Sequence, residues 1–160
     1  MQKIFNVLVE NRSGVLSKVA GLFARRCFNI DSLAVGETND PTASSMTIVS
    51  SGSEALMEQV EKQLNKKVDV IKVNCYTKDE AVCRELMMIK VKYTAKNRIE
   101  ILSICTITGA QIVDTSRNLM TLQICDTPDK VQILLDLLRG IGIVEIARTG
   151  TIALSKCTEE

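Results

Sequence analysis

One order of strand and helix signals occurs twice along this chain of 160 residues, and that duplication narrows the possible folds more than any other feature. KIFNVLVEN (3–11) reads as a strand, with Ile4, Val7 and Val9 among its apolar positions. A helix follows from Val15, placing Val15, Val19, Leu22 and Phe23 on one face at i, i+4, i+7 and i+8. NIDSLAVGET (29–38) and ASSMTIVSSG (43–52) read as two strands around the turn-rich NDPT. Ser53 is positioned to cap a second helix, with Leu56, Val60 and Leu64 on its apolar face, and KVDVIKVNC (67–75) closes the unit. The cycle then restarts with the strand ELMMIKVKY (85–93) and the helix NRIEILSICTITG, which stops on a glycine. AQIVDTS and LMTLQIC form a hairpin around SRN. Asp126, Thr127 or Asp129 caps a helix carrying Val131, Leu134, Leu135 and Leu138, and GIVEIART is the closing strand.

Each half is β-α-β-β-α-β. Two interleaved β-α-β units of this kind predict a ferredoxin-like sandwich, with two helices on one face of a four-stranded antiparallel sheet. The chain therefore belongs to the α+β class, with domains at 1–76 and 85–160, a polar link at 77–84, and the tail GTIALSKCTEE in the second domain. The helix-free face of such a sheet needs a cover, and Val7, Val9, Ile48 and Val49 leave few polar positions for it. Pairing of edge strands or stacking of sheets is the natural remedy, which predicts an obligate homodimer.

Composition removes several classes of function. Twenty Lys+Arg against nineteen Asp+Glu, with 3% aromatics and no Trp, argue against nucleic-acid binding. No apolar run approaches the ~18–20 residues that span a bilayer. MQKIFNVLVEN lacks the apolar block of a signal peptide, so a cytoplasmic protein without membrane contact is expected. Histidine is absent, which rules out Ser-His-Asp and Cys-His catalysis, and neither GxGxxG nor a P-loop occurs. Cys27, Cys75, Cys83, Cys105, Cys125 and Cys157 form no C-x-x-C pair. They read as small buried hydrophobes rather than metal ligands or disulfides. Asp79-Glu80 and Glu159-Glu160 read as solvated surface, Met87-Met88 as core, and Cys27 after Arg25-Arg26 as a helix-end packing residue. No catalytic residue, metal or cofactor is expected in this chain.

VENRSGVLSKVAGLFARRCFNIDSL (9–33) sets a strand, Asn11, Gly14 and a helix start in succession, with Asn29 after the helix. The first amides of a helix lie at the positive end of its dipole and accept a carboxylate or phosphate. Gly14, lacking Cβ, lets a ligand approach the backbone, and Asn11 carries both donor and acceptor for an α-amino acid. Val15, Leu16 and Ile30 are candidates to line a small aliphatic pocket. A purely structural account also stands: Asn11 or Ser13 caps the helix and Gly14 eases the turn.

The stretch 7–35 in a β-α-β-β-α-β frame resembles an ACT domain, the amino-acid-sensing module of metabolic regulation. ENRSGVLSKVAGLFARRCFNIDSL, DPTASSMTIV, QVEKQLNKKVDVIKV and VEIARTGTIAL follow one another as in the small regulatory subunits of acetolactate synthase. The second half resembles that family more loosely than the first. The resemblance implies a non-catalytic partner of a large subunit that binds thiamine diphosphate, Mg and FAD and condenses pyruvate with a second 2-ketoacid. It further implies activation of that subunit and feedback inhibition by a branched-chain amino acid, typically valine. Matched by motif, the effector site is Asn11, Gly14, Val15 and Leu16 of one protomer with Asn29 and Ile30 of its neighbour, where Asn29 opens an edge strand. A stand-alone amino-acid-responsive ACT module or transcriptional regulator is the alternative.

Overall fold

The computed structural model describes residues 1–157. Strands β1 (Gln2–Glu10), β2 (Ser32–Glu37), β3 (Ala43–Ser51) and β4 (Val70–Tyr76) alternate with helices α1 (Val15–Arg25) and α2 (Glu54–Asn65). The second repeat supplies β5 (Ala81–Lys92), α3 (Arg98–Thr108), β6 (Gln111–Thr115), β7 (Leu119–Asp126), α4 (Pro128–Leu138) and β8 (Ile143–Arg148). A last strand, β9 (Ile152–Ser155), follows. Both repeats form the expected sandwich: the strand order is β2-β3-β1-β4 in the first sheet and β6-β7-β5-β8 in the second. The neighbouring strands on each path are antiparallel.

In the first unit, alternation along β1 turns Phe5, Val7 and Val9 toward the helices, and Phe5 lies opposite Ile48 of β3. They form one core with Met46, Val15, Val19, Leu22, Phe23, Met57, Val60 and Leu64. Ser53 caps α2 by accepting the Leu56 N–H at 3.3 Å. Met57, not Leu56, takes the fully buried position, and Leu56 packs at the margin of the core.

The end of α1 closes in a Schellman turn. Cys27 adopts φ 55°, its N–H donates to the Ala24 carbonyl at 3.2 Å, and the Phe28 N–H donates to Phe23 at 3.0 Å. Phe28 is buried edge-on against Phe23, with ring centroids 6.4 Å apart. Cys27 thus ends the helix as expected, but it is exposed and does not pack.

Two boundaries differ from the sequence reading. The segment expected as a link already holds structure: Glu80 accepts the N–H and hydroxyl of Thr77 at 2.7 Å each, and β5 begins at Ala81. The tail packs with the first repeat, so the compact units are residues 1–82 with the described residues from Thr151, and Cys83–Gly150, while its strand β9 pairs with β5. Asn6 points away from the helices and its amide donates to the Ala153 carbonyl at 3.0 Å. The Thr151 N–H donates to the Ser32 hydroxyl at 2.8 Å, and the Lys156 N–H to the Glu80 carbonyl at 2.9 Å. The tail therefore lies across the sheet face that we expected a second protomer to cover. The cause is a polar residue, Asn6, in a strand that reads as apolar.

In the second unit Met87, Ile89 and Val91 face Ile101, Ile104, Leu122, Leu134 and Leu138. Gly109 closes α3 at φ 76°. Pro128 opens α4, and the Asp126 carboxylate accepts the Thr127 N–H at 2.7 Å. Met87 is core, whereas its neighbour Met88 lies on the opposite, exposed face of the strand.

Candidate functional site

The turn between β1 and α1 is built around Asn11 and Gly14. Gly14 holds φ 85°, ψ −9° at the helix N-cap, a left-handed conformation that disfavours side chains. Nothing lies within 4 Å of where its Cβ would stand. No side chain caps α1, so neither Asn11 nor Ser13 serves as its cap. The Val15 N–H reaches the Arg12 carbonyl at 3.3 Å and the Lys18 N–H reaches Gly14 at 3.0 Å. Between them, the N–H groups of Leu16 and Ser17 meet no acceptor among the described residues. A pair of outward amides at the positive helix end, beside a glycine with open space above it, suits a small carboxylate.

Asn11 has a structural duty as well. Its N–H donates to Thr42 at 2.7 Å, and its side-chain amide donates to the Pro41 carbonyl at 2.9 Å and to Glu37 at 3.3 Å. These bonds tie the helix entrance to the tip of the β2–β3 hairpin. That tip is braced by Asp40, whose carboxylate accepts the Thr42 hydroxyl and N–H, which lowers its pKa. The Asn11 Oδ1 has no donor among the described residues and remains available.

Val15 is buried in the core, so only its backbone borders the site. Leu16 is 44% exposed and is the sole large exposed aliphatic on α1 and α2 among the described residues. Asn29 and Ile30 stand at the other end of α1. An α-helix rises about 1.5 Å per residue, and α1 has 11 residues, so the two halves of the candidate site do not meet within one chain. Asn29 does not open β2, which begins at Ser32. The helix-ending turn uses the residues up to Phe28, and the carbonyl of Asn29 accepts the Ser50 hydroxyl at 2.6 Å. Its side chain is exposed and donates to Asp31 at 2.7 Å.

Elsewhere the buried polar side chains among the described residues all have hydrogen-bond partners. Glu85, the one buried carboxylate among the described residues, binds Arg148 at 2.6 and 2.9 Å, and this contact raises the arginine's pKa. Burial raises the thiol pKa of Cys105 and of Cys75, opposite to what a nucleophile needs. The pair Glu159-Glu160 lies outside the described residues. No group of three or more His, Cys, Asp or Glu side chains among the described residues is placed to hold a metal. No helix there is long and apolar enough to cross a membrane.

A βαββαβ sandwich with this open helix entrance defines an ACT-domain protein, and residues 5–72 match the family described as the acetohydroxyacid synthase small subunit-like ACT domain. Residues 84–157 match the family described as the small subunit of acetolactate synthase. The chain is 44% identical over 157 residues to the acetolactate synthase isozyme 3 small subunit of Salmonella typhimurium, covering 98% of this chain and 96% of that one. It is 47% identical over 154 residues to a probable acetolactate synthase small subunit of Archaeoglobus fulgidus, with 96% of each covered. The crystal structure of the Thermotoga maritima acetolactate synthase small subunit superposes with a TM-score of 0.91 at 37% identity over 99% of both chains. The chain belongs to the acetolactate synthase small-subunit family.

Proposed function

We propose that this chain is a non-catalytic regulatory subunit that activates the catalytic subunit of acetolactate synthase and makes it sensitive to a branched-chain amino acid, with valine the leading candidate. Thiamine diphosphate, Mg and FAD belong to the partner in this reading, and the setting is the cytoplasm. The observation that carries it is the uncapped start of α1: unspent amides at Leu16 and Ser17, Gly14 with open space beside it, and exposed Leu16. The effector carboxylate takes the amides, the Asn11 Oδ1 takes its ammonium group, and Leu16 contacts its aliphatic side chain. Asn29 and Ile30, held at the far end of the same helix, come from the second protomer of a homodimer. A ligand shared by two protomers binds the closed arrangement more tightly than an open one, and that difference, typically ~1–3 kcal/mol, is available for allosteric control.

The test is valine titration of the enzyme reconstituted with wild-type, Gly14→Asp and Gly14→Asn subunits. Both variants place a side chain at φ 85°, where Asp and Asn are the better tolerated residues. Only Asp adds a charge that repels the effector's carboxylate, at roughly 1 kcal/mol even in water at 4 Å and several in a partly buried site. We expect Gly14→Asp to weaken inhibition about a hundredfold, Gly14→Asn by less, and both to retain activation. Unchanged inhibition with Gly14→Asp places the effector site elsewhere.

A further inference from the structure

We propose that the outer face of α3, together with Ile133 and Leu137 of α4, is the surface through which this subunit docks onto the catalytic subunit; the inference rests on the regulatory-subunit reading above. Helix α3 turns Ile101, Ile104 and Cys105 inward. Its other side carries Ile99 and Ile107, 75% and 78% exposed, with Leu102 between them. No charged residue occurs from Ile101 to Thr108. The hydroxyls on that side are turned back onto the helix: Ser103 donates to the Ile99 carbonyl and Thr106 to Leu102, each at 2.9 Å. Ile133 and Leu137 stand exposed one turn apart on α4. A helix with large apolar side chains on its outer as well as its inner side belongs in an interior or an interface.

The first unit serves as an internal control, because it has the same fold. Its α2 exposes Glu54, Glu58, Gln59 and Lys62, and on α1 the one large exposed aliphatic is Leu16, already placed in the effector site. The fold itself therefore does not require an apolar outer layer. Five large aliphatic side chains match the apolar centre of a specific interface, which typically buries about 800 Å² on each partner. A second copy of this chain is the weaker occupant. The homodimer proposed above already uses one twofold contact, and a second self-contact through another face closes only if it shares that axis; otherwise it propagates into filaments. A different partner has no such constraint, and membership in a small-subunit family requires one.

The test uses the purified acetolactate synthase catalytic subunit of the same organism with wild-type, Ile99→Glu, Ile107→Glu and Val68→Glu chains. Val68 is 96% exposed in the first unit and serves as the control. We expect both isoleucine variants to raise the dissociation constant and the half-activating concentration at least tenfold, while Val68→Glu matches wild type. Valine binding by the isolated variants, read by calorimetry, stays unchanged, which separates a docking defect from failure of the effector site. Hydrogen exchange on the wild-type complex guards against misfolded variants, with amides 98–108 expected to gain protection. Wild-type binding by both variants, no protection of α3, or conversion of the variants to monomers overturns the assignment. A wild-type chain that does not bind the catalytic subunit overturns this proposal and the parent reading together.

Discussion

Helix α1 starts and stops on left-handed residues, Gly14 at φ 85° and Cys27 at φ 55°. Glycine accepts that region without strain, whereas a Cβ there meets the following carbonyl at a cost of roughly 1–2 kcal/mol. We expect Cys27→Gly to stabilise the first unit by about 0.5–1 kcal/mol, the gain being reduced by glycine's greater freedom in the unfolded chain. Thermal unfolding followed through that unit checks this, and a lowered midpoint contradicts it. The glycine at 14 was legible in the sequence because a strand, a glycine and an amphipathic run sit within a few residues. The duty of Asn11 was not, because its acceptor, Pro41, lies 30 residues away and pairs only once the hairpin has formed. Asn29 was misplaced at the start of a strand for a local reason: the Schellman turn and its Phe28–Phe23 contact carry the chain past Asn29 before pairing with β3 begins at Ser32.

Among the elements, α4 shows how a helix start depends on one carboxylate. The Asp126 carboxylate accepts the Thr127 N–H and the Lys130 ammonium, at 2.7 and 3.0 Å. These contacts, the backbone one first, hold its pKa below the usual carboxylate value. A group whose folded pKa is depressed stabilises the fold above its unfolded pKa, and that contribution disappears as pH falls through the folded value. Acidification below about pH 4 should therefore loosen the first turn of α4. Asp126→Asn should flatten that dependence, as read from the exchange of amides 127–131 across pH 5 to 2. An unchanged pH profile in the variant removes Asp126 as the cause. Helix existence and order were readable from apolar spacing at every element, as were the Ser53 cap and the Gly109 stop. Which flank of α2 is deepest was not, since Leu56 and Met57 are both apolar and only packing selects Met57.

For the whole molecule, the duplication predicted two four-stranded sandwiches, while the packing of the tail eluded it. Nothing in GTIALSKCTEE indicates that it will pack against the first repeat, and its side-chain partners there, Asn6 and Ser32, lie more than a hundred residues earlier. A chain ending at residue 150 leaves the Asn6 amide and the Ser32 hydroxyl without these contacts and removes buried Thr151 and Ala153. At about 0.5–1.5 kcal/mol per hydrogen bond, plus the lost packing, the first unit should lose on the order of 2 kcal/mol or more. Hydrogen exchange should show faster opening of β1, β3 and β5, the strand that pairs with β9, with β7 unaffected. Equal protection in the truncated chain shows that the tail is dispensable.

That returning tail also has a meaning in time. Domains made on the ribosome commonly fold in the order in which they emerge, at ~5–20 residues per second. Here the earliest unit is assembled from residues 1–82 and from residues past 150, so roughly 3–14 s of translation separate its two parts. During that interval the nascent first unit lacks its returning tail while the second sandwich is synthesised and folds. Its maturation thus waits for synthesis of the residues past 150, and translation that stops before them yields a first unit that never receives this segment.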